Sequence, residues 1–290
     1  MKKIWTIRTI WIVARMTFRE AIRRRIVLTG LVLGVLFLIV FSIGFRVISI
    51  EIGKDPEFTG GGAASNVLRT EMSNFLFLAG LYAVTFLSVA MGALLSADTL
   101  AGEISSGSIQ TIVTKPLRRS DVVLGKWLGF AALLGLYSLL MSGGTVISIL
   151  LQTGYLPHNM LTGLSLIYLE ALLVMTISLA GSSAMPALAT GGMVFGLYGL
   201  AFIGGWIEQI GSLLNNPTAV KVGIVTSLII PTEALWRRAA FEMQSPLSSA
   251  LGMTPFSAVS VPSTLMILYA ILYLMIALVV AVSTFRHRDI

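Results

Sequence analysis

The 290-residue sequence contains no cysteine and only two histidines, His158 and His287. Disulfides, thiol catalysis and thiolate or histidine-rich metal centres are thereby excluded. Charge is scarce as well: 11% of residues are charged, against about a quarter in an ordinary soluble chain. A soluble fold of this size needs that polar fraction to cover its outside, so lipid must stand where water would. What replaces charge is apolar, with 56% hydrophobic residues and a mean hydropathy of +0.90. The composition predicts one all-α, polytopic membrane protein. The formal charge of +7 asks for an anionic partner, and its location along the chain tells nucleic acid from lipid headgroups.

Apolar runs near 20 residues cross about 30 Å of hydrocarbon as helices. Six are found: Ile26–Phe45, Phe75–Ala97, Trp127–Leu151, Leu161–Ser183, Ala187–Trp206 and Leu265–Phe285. An even count puts both termini on one side. Segments 1–25, 98–126, 183–186 and the tail hold 14 of the 20 Lys and Arg residues, which assigns them and both ends to the cytoplasm. The cytoplasmic segments then carry +9, the outer segments −1, and Glu170 adds −1 within the membrane. That distribution is a membrane topology, and a nucleic-acid partner is not expected. The first run exceeds a signal-peptide core and follows a 25-residue basic leader with no small-residue cleavage site after it, so it is expected to remain as a span.

In the leader, Ile4, Ile7, Trp11, Ala14, Phe18, Ala21 and Ile22 fall on one side of a helix, with Arg8, Arg15, Arg19 and Arg23 on another. This predicts an amphipathic helix in the membrane surface. Its main role is an electrostatic anchor to anionic lipid, at about 1 kcal/mol per basic residue; a docking surface for a cytoplasmic protein is the second.

Within the loop 98–126, Ser105 or Ser106 is expected to cap a short helix, Pro116 to close it, and Ser120 to cap the next. Ile109, Ile112 and Val113 recur at i, i+3, i+4 beside polar neighbours, an apolar stripe. A helix this short is unstable alone in water, so the stripe must pack on the leader or on another chain. Asp98, Glu103, Lys115, Arg118, Arg119, Asp121 and Lys126 are expected to rim it with mixed charge. Outside, residues 51–73 with Gly60–Gly62 read as a flexible loop. In the outer segment 207–263, the apolar piece Val222–Ile230 is too short to span. With a Thr-capped helix from Pro231 or Thr232 it predicts a pair of re-entrant or surface helices.

Catalytic patterns are missing: no HExxH, no GxSxG, no paired intramembrane aspartates. Leu124-Gly125-Lys126-Trp127 lacks the upstream Gly of a phosphate loop, and Trp stands where Ser or Thr must hold magnesium. Nucleotide-driven work therefore requires a nucleotide site on another subunit. Glu170 lies mid-span, where an ionised side chain costs about 3 kcal/mol. It is expected to face the bundle interior, either as a substrate, ion or proton site or as a carboxyl bonded to a Tyr or Ser of a neighbouring helix. The fifth span is dense in glycine, and Gly192 and Gly196, like Gly30 and Gly34 in the first, have the GxxxG spacing of closely packed helices, within one chain or between two.

The run Glu103–Lys126 resembles the intracellular signature of type-2 ABC exporter permeases: Glu103, then Gly107 with Ser108, the stripe from Ile109 to Val113, Pro116, Arg118 or Arg119, and Gly125 with Lys126. Pro231-Thr232-Glu233-Ala234-Leu235-Trp236-Arg237 resembles an outer-segment element of the branch that includes nitrous-oxide-reductase maturation permeases, with two residues rather than one between acid and aromatic. The resemblance implies a leader at 1–25 and a six-helix permease domain at 26–290. It also implies a pair of permeases, as two copies or with a paralogue, and separate ATPase subunits that bind ATP and Mg2+, this chain holding no cofactor. Glu103, Gly107, Ile109, Ile112 and Val113 would carry docking on a coupling helix, flanked by Arg118 and Arg119. Two rivals stand beside an ATP-driven exporter of the cytoplasmic membrane: an ion- or proton-coupled transporter or channel that uses Glu170, and a membrane enzyme acting on lipid.

Overall fold

The computed structural model describes residues 2–54, 62–105, 118–245 and 261–287, and among them there is no strand. The helices are α1 (Lys2–Ile22), α2 (Arg25–Ile52), α3 (Ala63–Ala97), α4 (Thr99–Ser105), α5 (Arg119–Thr153), α6 (Met160–Ala184), α7 (Ala187–Leu213), α8 (Pro217–Ile229), α9 (Thr232–Met243) and α10 (Thr264–His287). The sequence punctuates them. Pro186, Pro217 and Pro231 stand at or beside helix starts, where a missing N–H costs nothing. The Asn216 side chain caps α8 by accepting from the Thr218 and Ala219 N–H groups at 3.0 and 3.3 Å. Gly154 ends α5 at φ +69°, its N–H donating to the Leu150 carbonyl at 2.9 Å.

Among the described residues, six helices are long and apolar enough to cross a membrane: α2, α3, α5, α6, α7 and α10. All six expected spans are present, with longer ends. The most apolar stretch of α3 is 61% buried and that of α2 only 11%, so α3, α5 and α6 form the centre and α2 rides on the rim. Hydroxyls and ring N–H groups cross-link the centre. Ser96 donates to the Met175 carbonyl at 3.0 Å, Ser178 to Ala93 at 2.8 Å, Trp127 Nε1 to Thr176 Oγ1 at 2.8 Å and Tyr168 to Ala131 at 2.8 Å. In lipid, where apolar burial does not draw helices together, such bonds and close packing do.

Three local expectations are corrected. The loop expected at 51–73 is helical from Ala63, where Thr70 and Ser73 hydroxyls bond back to the Asn66 and Arg69 carbonyls and let a polar sequence continue the helix. Of the expected caps Ser105 and Ser106, Ser105 belongs to α4 and Ser106 lies outside the described residues. Ser120 lies inside α5, its hydroxyl donating to Asp121 Oδ1 at 3.2 Å while Arg118 occupies the cap position. Thr232 begins α9 without capping it.

The leader helix α1 packs along the start of α5. A methyl placed on Gly125 would stand 2.6 Å from Val13 Cβ and 2.9 Å from the Ile10 carbonyl, and one on Gly129 would stand 2.7 Å from the Ala14 carbonyl. Only glycine permits that approach. The face buried is thus the small one, Ala14, Thr17 and Ala21. Ile7, Trp11 and Ile22 of the expected apolar side stay exposed, at 66, 70 and 46%, beside exposed Arg8, Arg15 and Arg19. Protein contact and the membrane-facing stripe are neighbouring faces of one helix.

Candidate functional site

At the α1 end of the bundle, two separate links tie helix ends together. Arg24 pairs with Glu20 at 2.7 Å and donates to Thr99 Oγ1 at 3.4 Å, linking the α1–α2 joint to α4. Arg119 Nη1 donates to the Arg286 carbonyl at 3.2 Å, linking the start of α5 to the end of α10. Glu103 lies in α4, and Arg118 is exposed at the α5 cap. Gly107, Ile109, Ile112 and Val113 fall outside the described residues. Two members of the expected charged rim are not on a rim: Asp121 and Lys126 are 5 and 6% exposed, drawn inside where α5 meets its neighbours.

On the opposite side, α8 and α9 form a helix pair bent by 107°, at the place where the sequence predicts a pair of re-entrant or surface helices. Its depth follows from its contacts. Ala219 packs on Gly211 near the end of α7, Thr226 on Gly204 a turn or two deeper, Glu233 on Gly205, and Met243 on Gly163 near the start of α6. The chain therefore enters beside α7, turns at Ile230–Pro231 and leaves beside α6. Glycines on both spans open the space, since a Cβ at any of the four would collide with the hairpin.

That turn carries the charge into the core. Arg237 on α9 forms a two-pronged ion pair with Glu208 on α7, Nη1–Oε1 2.5 Å and Nη2–Oε2 2.8 Å, both side chains 4% exposed, and Nη2 also reaches Ser227 Oγ at 3.3 Å. Glu233, 6% exposed, feels both Arg237 and Glu208. Glu170 on α6 is 0% exposed, so it faces the interior as expected. Neither of its oxygens has a hydrogen-bond partner among the described residues, which departs from the expected bond to a Tyr or Ser. The ionisable group that acts on it is Glu233; a helix from the outer segment brings it there, which the span pattern alone does not foretell.

An unpartnered carboxyl in a packed core destabilises it by about 1–3 kcal/mol. Glu170→Met, of similar volume, is therefore expected to raise the thermal unfolding midpoint of the detergent-solubilised protein. A lower midpoint would mean that Glu170 makes a bond essential to the fold.

Beside the cluster, α2, α3 and α7 enclose a side cavity of about 620 Å³ lined by Phe37, Tyr82, Phe86, Tyr198 and Phe202 among apolar side chains. Tyr82 joins it to the hairpin through Trp236, ring centroids 4.8 Å apart. On α7, Gly192 and Gly196 are exposed, and a methyl on either would meet nothing within 4 Å. Gly30 and Gly34 share their spacing but not their setting, because methyls there would lie 2.8 Å from Met91 Sδ and 2.6 Å from Met141 Sδ. The first motif packs within the chain, and the second presents an open face.

Multi-pass all-helical architecture, a leader helix clamped to the third span and a bent helix pair between the last two define a polytopic all-α membrane protein. The sequence model described as ABC-2 family transporter protein matches residues 11–290, and the chain belongs to that family: it is an ABC transporter permease subunit. It is 24% identical over 293 residues to a protein of Stutzerimonas stutzeri named probable ABC transporter permease protein NosY, a match covering 96% of this chain and 98% of that one. It is also 26% identical over 141 residues to the protein of the same name from Pseudomonas aeruginosa, covering 49% of this chain and 46% of the relative.

Proposed function

We propose that this chain is the membrane-spanning subunit of an ATP-driven exporter in the cytoplasmic membrane, with both termini cytoplasmic. A separate ABC ATPase binds ATP and Mg2+ and docks on the segment 98–121 through Glu103, Gly107, Ile109, Ile112 and Val113, flanked by Arg118 and Arg119. Two permeases, as identical copies or with a paralogue, meet across α7 at Gly192 and Gly196, and the aromatic cavity beside that face lies where the pair would enclose it. The observation that carries this reading is the α1–α5 clamp. Gly125 and Gly129 join the leader rigidly to the third span, so a push on the segment between α4 and α5 moves a span instead of bending a loop. Arg24, Arg118 and Arg119 at that end accord with a cytoplasmic face.

The test is recovery of the affinity-tagged chain from its native membrane in mild detergent. The expected result is a retained ABC ATPase and nucleotide hydrolysis that depends on it. A second reading, ion- or proton-coupled transport through Glu170, draws on the unpartnered buried carboxyl. Chain recovered without any ATPase, together with flux driven by an ion gradient alone and lost in Glu170→Gln, would replace the first reading with the second.

A further inference from the structure

The side cavity between α2, α3 and α7 and the buried charges around α9 are neighbours, and their chemistry runs in one order from the bilayer inward. At the mouth stand exposed Leu33, Leu36 and Val40 of α2. The walls are aromatic. Tyr82 faces Phe202 and Phe86 faces Tyr198, ring centroids 6.2 Å apart in both pairs, and Phe37 adds a third side. Phe86 is 51% exposed and Tyr198 only 7%, so the cavity deepens toward Tyr198.

Behind the tyrosines lie carboxyls. Glu170 and Glu233, 0 and 6% exposed, are both close enough to act electrostatically on Tyr82 and on Tyr198. Arg237, the guanidinium beside them, is held by Glu208 in the two-pronged pair. None of the residues lining the cavity is basic. In sequence, the basic residues outside the described segments, Lys115 and Arg288, adjoin α5 and α10 at their α1 ends, whereas the α2 residues of the cavity lie midway along that helix. Among the described residues, the deep end therefore has more carboxyls than cations.

Volume and route narrow the occupant. At about 620 Å³ the cavity is of the size that takes a drug-sized molecule, roughly 300–1,000 Å³. Its mouth opens between lipid-facing aliphatic side chains, so whatever enters must first dissolve in hydrocarbon. A compact, strongly hydrated ion is excluded by the cost of shedding its water. A neutral apolar molecule would fit but would give Glu170 no role, and an intramembrane carboxyl is costly and functional by default. Aromatic ring faces carry negative potential and attract cations most where water is excluded.

We infer that this cavity binds a lipophilic cation, an apolar body around a delocalised or shielded positive charge, with the charge against Tyr82 and Tyr198 and with Glu170 as its counter-charge. As a binding site it is independent of the exporter reading; as the site of the cargo it rests on that reading.

The test is equilibrium dialysis of the purified full-length chain in detergent against tetraphenylphosphonium and tetraphenylborate, which share shape and size and differ in sign, each corrected for protein-free micelles. The wild type should prefer the phosphonium at least about a hundredfold, since a carboxylate attracts one and repels the other in a medium of low dielectric. Glu170→Gln should cut that preference at least about tenfold, and Phe86→Leu, which removes one exposed ring, about fivefold. Tetraphenylborate fills the same space, so its undiminished binding by Glu170→Gln shows that the cavity is intact. A wild type that binds both ions equally would leave an apolar slot for lipid chains and overturn the cation site. Binding of neither ion, or a preference unchanged in Glu170→Gln, would overturn it as well. No ATPase takes part in the assay. Phosphonium binding absent while the ATPase still co-purifies removes this site and leaves the exporter, whereas binding present with no ATPase recovered keeps the site and removes the exporter.

Discussion

Ile109→Asp combined with Ile112→Asp is expected to abolish co-purification of the ATPase and, with it, ATP-driven transport. Both residues lie in the segment between α4 and α5, outside the described residues, where the sequence predicts a short helix. A helix of about ten residues has no stability of its own in water, and its stripe of Ile109, Ile112 and Val113 must gain it from a partner. Burying each isoleucine contributes about 1.5–3 kcal/mol, so losing two weakens binding by at least about a hundredfold, before the cost of placing two carboxylates in the interface. The spans carry neither residue, and membrane insertion and thermal unfolding should be unchanged. ATPase retained at the wild-type level would remove this segment from the docking surface.

The transmembrane plan was legible because hydrocarbon imposes it: 20 apolar residues with few charges have little alternative to a spanning helix. The paired short helices were legible too, since Val222–Ile230 is too short to cross and Pro231 stands at the break between α8 and α9. Pairing inside the bundle was not. Glu208 and Arg237 are 29 residues apart, and only the 107° bend between α8 and α9 brings them together. The one hint was placement: Glu208 stands in an otherwise apolar helix end, where a lone carboxylate requires a partner. GxxxG spacing was equally mute about role. Gly30 and Gly34 pack internally, Gly192 and Gly196 face outward, and Gly125 with Gly129, interrupted by Lys126 and Trp127, form the tightest helix contact of the three. Spacing reports that a close approach is possible, whereas the partner is set by the rest of the fold. The leader shows the same division: amphipathicity marked α1 as interfacial, but the face that touches α5 is the one with alanine and threonine, because glycines opposite demand small side chains.

Arg237→Met should produce the largest loss of stability of any single change considered. It leaves Glu208 buried at 4% exposure with its ion-pair partner gone and removes the positive charge of Arg237 from beside Glu233. Breaking one side of a buried pair costs about 3–5 kcal/mol, which should appear as a large drop in the unfolding midpoint in detergent. Arg237→Met with Glu208→Met should recover most of it, because two apolar side chains of similar volume replace a pair that itself had to be desolvated. Function then separates two roles for the pair. If the double variant is stable and transports, the ion pair is a pin holding the hairpin against α7. The expected outcome is stability without transport. An apolar patch holds the hairpin in one place only through packing, but a charged pair can open when water enters as the bundle rearranges. In the double variant the hairpin then stays shut over Glu170 and the neighbouring cavity while the ATPase still turns over.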